Sequence, residues 1–164
     1  MKNNFLNIYN NLIKLTRNKT LYENSTNMET FSDRLIIFFF HFAFFLKLFK
    51  NQVSKKEIQK LYDFIFKQLE LSIREIGYGD ATINKKMKEY VNVMYAIINK
   101  VELWEKLDST SKTKLFSDFI EVNKNSMFFV NYFDKYLLYL SKNSSNYFTK
   151  DVISLNFNYG CTKT

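Results

Sequence analysis

Few residues in this chain offer chemistry beyond simple charge. There is one histidine, His41, and one cysteine, Cys161. A single His excludes a two-His metal centre or proton relay. A single Cys excludes an internal disulfide and a cysteine-based metal site. The pair Gly77-x-Gly79 is too short for a phosphate-cradling loop. Acid–base chemistry would fall to carboxylates such as Glu75 and Asp80, and both read better as helix-end groups. His41 has two readings, the proximal ligand of a haem or a hydrogen-bonded core residue. Its place between Phe40 and Phe42 favours the core. The chain is therefore read as non-enzymatic, with no catalytic residues, no metal and no cofactor.

What remains is a surface, and the backbone points to where it lies. The sequence has three glycines and no proline. Two of the glycines stand in Arg74-Glu75-Ile76-Gly77-Tyr78-Gly79-Asp80. Glycine takes positive φ without steric cost, as a helix C-terminus or a sharp turn requires. The stretch reads as a corner between two helices, with Arg74 and Glu75 in the last turn of the first. Asp80 or Thr82 would cap the second. Just past the corner stand Lys85, Lys86 and Lys88, off the apolar stripe of their helix. Formal net charge is +8, which favours anionic partners such as lipid headgroups, nucleic acid or acidic protein faces. Arginine is scarce, so protein or lipid contact ranks above nucleic acid, and no specific DNA binding is expected.

The elements that must position this corner are helices. At 164 residues the chain is one domain's worth, and 46% hydrophobic content excludes wholesale disorder. Residues 2–19 carry one helical stripe through Phe5, Ile8, Leu12 and Leu15. Leu21–Thr30 reads as a polar loop, with Ser32 or Asp33 capping the next helix. Leu35–Phe49 is apolar on all sides. A membrane span needs ~20 apolar residues, and the uninterrupted run from Leu35 to Leu46 is shorter, so a central core helix is expected. Its rings Phe39, Phe40, Phe44 and Phe45 are candidates for an apolar docking face if one side is left open. Ser54-Lys55-Lys56-Glu57 is a capping box ahead of a strongly periodic helix that ends at the corner. The same period resumes from Ile83 to Ile98. Shorter amphipathic helices follow over Leu115–Ile120 and Met127–Leu140, the first after the cap-rich Asp108-Ser109-Thr110-Ser111. Residues 147–164 are weakly patterned, Val152–Phe157 being the one short strand candidate. The expectation is an all-α, single-domain helical bundle over residues 1–164, of about six or seven helices, with a helix in 1–20 and a tail at 147–164. Met1–Asn11 lacks the apolar core of a signal peptide, so a cytoplasmic placement, peripheral at the inner face of a membrane, is expected.

At the corner the sequence resembles the ubiquinol–cytochrome c chaperone family, assembly factors for the respiratory complex that oxidises quinol. That family carries a helix ending in R-E-x-G-V-G-D and then a basic helix. Here these are Arg74 to Asp80, with Tyr78 in place of Val, followed by Lys85-Lys86-Met87-Lys88. Leu21-Tyr22, Arg34 before the apolar helix and His41 within it match in order and approximate spacing, and Asp118 and Asn123 match more loosely. Two further stretches depart from the pattern. Leu35-Ile36 stand where an acidic residue is usual, and Tyr95-Ala96-Ile97 where Tyr-Gly-Arg is common. The resemblance, spanning Leu21 to Leu140, implies an all-helical chaperone. It would bind nascent or apo cytochrome b and hold it for haem insertion and assembly, on the matrix side of the membrane in a mitochondrion. The partner surface it suggests is Arg74, Glu75, Gly77, Tyr78, Gly79, Asp80, Lys85, Lys86 and Lys88. An anionic membrane surface or the ribosome stays open as a partner. The alternative is a peripheral membrane-surface or ribosome-binding helical protein.

Overall fold

The computed structural model describes residues 2–23, 30–121 and 126–142, and these form an all-helical bundle. Seven α-helices appear among them: α1 (Lys2–Thr16), α2 (Thr20–Glu23), α3 (Phe31–Phe49), α4 (Lys55–Glu75), α5 (Asp80–Glu102), α6 (Ser109–Ser117) and α7 (Ser126–Lys142). A 3₁₀ turn, Trp104–Lys106, joins α5 to α6. The short strand candidate at Val152–Phe157, the tail at 147–164, Cys161 and Asn123 lie outside the described residues.

The helix starts follow capping chemistry. Ser54 caps α4: its hydroxyl accepts from the Glu57 amide while the Glu57 carboxylate accepts from the Ser54 amide, the reciprocal box expected from sequence. Asp108 caps α6 through a single bond, its carboxylate accepting from the Ser111 amide at 2.7 Å. The start of α3 differs from expectation. Neither Ser32 nor Asp33 is its cap: Thr30 is, and Asp33 is the third residue of a second capping box. Thr30 supplies a hydroxyl with extended backbone one step before the helix, so Asp33 reaches back rather than starting the turn. The polar segment from Leu21 is likewise not all loop. Leu21 to Glu23 belong to the single-turn α2, which plants a fully buried Leu21 in the core.

Helix α3 is the axis of the bundle. Burial runs around its whole circumference, which is what an all-round apolar helix requires when other helices enclose it. α5 lies alongside α3 and runs in the same direction. The Ser32 and Tyr90 hydroxyls meet at 2.9 Å near one end. At the other end Lys47 donates to the Glu102 carbonyl at 2.6 Å and pairs with Glu105 at 2.8 Å. α4 is the antiparallel return between them, with Tyr62 and Phe66 against Tyr95. α1 crosses α3 and α4 through Tyr9, whose ring stands 5.8 Å from Phe38 and 6.3 Å from Phe64. α7 closes the far side, where Phe133 stacks on Phe44 at 4.9 Å and 13°.

This enclosure corrects one expectation. Phe39, Phe40, Phe44 and Phe45 are between 0% and 3% exposed, so they form no docking face. α1, α5, α6 and α7 cover every side of α3 that the sequence alone leaves unassigned.

His41 belongs to the same core and is fully enclosed. Its Nδ1–H donates to the Ile37 carbonyl at 2.9 Å, and its Nε2 accepts from the Tyr132 hydroxyl at 2.7 Å. A carbonyl can only accept, so the proton sits on Nδ1 and the ring is neutral. Burial holds its pKa down to about 3, the Ile37 bond opposing only in part. Both ring nitrogens are thus occupied within the fold, which is the core reading rather than the haem-ligand one.

Candidate functional site: the α4–α5 corner

The corner forms as the glycines predict, with one difference in how they are used. α4 ends at Glu75, and Gly77 takes φ +98°, the left-handed conformation that reverses the chain. Its amide donates to the Arg74 carbonyl at 3.0 Å, satisfying one of the orphan acceptors at the helix end. Gly79 does not need that freedom. It has φ −71° and ψ 159°, ordinary extended backbone, and it is itself the N-cap of α5, with no side chain to contribute a bond. Neither Asp80 nor Thr82 caps α5. Asp80 is the first helical residue, and its carboxylate is taken by another partner.

That partner is Arg74. Its guanidinium donates to the Asp80 carboxylate at 2.8 Å and, through Nε and Nη2, to Glu70 at 3.0 and 2.9 Å. These bonds to Asp80 and then Glu70 hold the Arg74 pKa above its ordinary value. The arginine thus ties the last turn of one helix to the first turn of the next. Glu75, its sequence neighbour, is exposed and enters no ion pair among the described residues.

The surface beyond this tie is open. Every residue from Arg74 to Thr82 is exposed, including two large apolar ones, Ile76 at 47% and Tyr78 at 42%. Lys86 extends over the Tyr78 ring, its Nζ 4.7 Å from the centroid, so the aromatic and the charge make one patch. Lys85 and Lys88 are exposed and pair with no carboxylate among the described residues. The predicted site residues therefore come together on one corner of the bundle, with Arg74 and Asp80 turned toward each other and Tyr78, Lys85, Lys86 and Lys88 available. Exposed Ile76, inside the corner stretch, was not among the site residues expected from sequence.

A family model described as Ubiquinol-cytochrome C chaperone matches residues 23–115. The match covers more than half of the chain and includes α3, α4, the corner and all of α5. The chain belongs to the ubiquinol-cytochrome C chaperone family. The matched residues stop within α6, so α1 and α7, as well as the looser likenesses at Asp118 and Asn123, fall outside the family match. No curated protein and no solved structure matches this member of the family.

Proposed function

We propose that this protein is a non-enzymatic assembly chaperone that captures newly made cytochrome b through the α4–α5 corner. The observation carrying the proposal is the patch of exposed Ile76 and Tyr78 with half-exposed Lys86, beside Lys85 and Lys88, which have no carboxylate partner among the described residues, on the element that bears the family motif. An apolar client emerging beside a membrane needs a receiving surface that is part hydrophobic and part cationic. The apolar groups take up exposed client side chains, and the lysines favour anionic lipid or ribosomal RNA nearby. In this reading Arg74 and Asp80 position the patch and the client does not need to touch them. The protein works as a peripheral component at the inner membrane face, on the matrix side in a mitochondrion.

Affinity capture from cells that make cytochrome b tests the proposal. The Lys85→Glu/Lys86→Glu variant changes only exposed or half-exposed charges, so it should keep its helix content and unfolding midpoint while losing most of the captured cytochrome b. A folded variant that still captures cytochrome b at wild-type level places the client elsewhere on the molecule.

A further inference from the structure

Away from the corner, α1, α2, α3 and α4 enclose an open cavity of about 900 Å³, within the range of small-molecule sites. One part of its wall is apolar and aromatic, built by Tyr9, Phe38, Ile65 and Leu69. Another is cationic: Arg17 just past the end of α1, Lys19 before α2, and Arg34 in the first turn of α3. None of these three enters an ion pair among the described residues, although the Glu23 carboxylate also lines the cavity.

Three of the four hydroxyls of the wall are already used. The Thr16 hydroxyl donates to the Leu12 carbonyl, the Tyr22 hydroxyl to the Thr16 carbonyl and the Ser72 hydroxyl to the Gln68 carbonyl. An extended peptide laid in this cavity would find those hydroxyl protons committed and its own amides poorly matched. A hydrocarbon chain needs no such partners, and one anionic head would use the three unspent cations. From Tyr9 to Arg17 the wall runs eight residues along α1, about 12 Å at 1.5 Å per residue, long enough to separate a head from a tail.

We infer that this cavity binds a single-chain anionic amphiphile, its carboxylate or phosphate head on Arg17, Lys19 and Arg34 and its acyl chain over Tyr9, Phe38, Ile65 and Leu69. The site shares no residue with the corner, so it stands or falls independently of client capture there.

The test is calorimetric titration of the whole chain with monomeric oleate and with lysophosphatidic acid. Monoolein serves as the uncharged control, and phosphatidylglycerol vesicles as the membrane arm. At least one of the two anions should bind saturably at one per chain, and the tighter of them identifies the head as carboxylate or phosphate. Arg17→Glu/Arg34→Glu should weaken binding by at least about tenfold, since charge-assisted hydrogen bonds are lost and repulsion is added. Ser72→Trp, which fills the cavity from half-exposed helix surface, should abolish binding while helicity is kept, and it decides the matter if the arginine variant does not fold. Lys85→Glu/Lys86→Glu should leave the titration unchanged. The inference is overturned if neither anion binds, if monoolein binds equally well, if Ser72→Trp binds like wild type, or if only vesicles give a signal.

Discussion

The His41 imidazole is fully enclosed, and this makes it a measurable probe of the core. Its folded pKa of about 3 lies below the unfolded value of 6.5. As pH falls, the unfolded chain takes up the proton first, so the contribution to stability is complete above pH 6.5 and is lost between 6.5 and 3. Each pH unit in that window removes about 1.4 kcal/mol, so urea unfolding at pH 5 should show about 2 kcal/mol less stability than at pH 7 from this group. His41→Gln should flatten that slope; equal slopes in the two proteins would mean that the ring titrates normally. The two corner glycines make a second contrast at this scale. Gly77 holds φ +98°, so Gly77→Ala should cost about 1–2 kcal/mol although a Cβ meets nothing within 4 Å. Gly79 already has the backbone of a capping residue and equally open space, so Gly79→Ser should be neutral or stabilise by a few tenths of a kcal/mol. Thermal melts of the two variants should move in opposite directions, or Gly79→Ser should not move at all. Two similar losses would show that Gly79 has a conformational duty that its dihedral angles do not reveal.

At the scale of the elements, α4 and α5 make a hairpin whose two rods are fixed at both ends. Arg74 bridges the corner, while Lys47 of α3 and Lys50 just past its end hold the far end of α5 through Glu102 and, in the following 3₁₀ turn, Glu105. The start of α4 depends on Ser54. Ser54→Ala removes the acceptor for the Glu57 amide and should cost about 1 kcal/mol, seen as a lower urea midpoint at unchanged slope. No change would mean that tertiary contacts, not the cap, set where α4 begins. The capping box and the apolar stripe of α4 were legible because they are local: a hydroxyl three residues before a carboxylate, and apolar residues at helical spacing. The cap of α3 was misplaced because Thr30, Ser32 and Asp33 are all good caps. Only the position of the first turn against Tyr90 and the rest of α5 selects among them.

Over the whole molecule, the aromatic residues are the frame. Phe44 stacks on Phe133 and meets the Trp104 ring edge-on at 4.9 Å, while the Trp104 N–H donates to Asp134 at 2.7 Å. Through these rings α3, the 3₁₀ turn and α7 form one packed unit, although α7 lies outside the family match. Phe44→Ala should therefore cost about 3–5 kcal/mol, a severe loss for a domain of this size. Circular dichroism against urea reads it directly. A loss under about 1 kcal/mol would mean that the ring is not enclosed as described, and would return it to the surface role first considered. At this scale the charge reversal Lys85→Glu/Lys86→Glu should do the opposite, sparing stability and removing cytochrome b capture.

Composition and periodicity alone determined that the chain is helical, that α3 is the core helix, and that a glycine-bearing turn ends α4 after Glu75. Each is a matter of neighbours a few residues apart, where side-chain spacing and backbone freedom speak for themselves. Tertiary structure decided which apolar rings remain visible and which cations go unpaired. Phe39, Phe40, Phe44 and Phe45 vanish beneath helices distant in sequence, while Ile76 and Tyr78 stay in water at the turn. Arg17, Lys19 and Arg34 become neighbours of one cavity because α1, α2 and α3 meet there. A linear pattern records what each helix must bury, but exposure is a property of how the helices lie against one another.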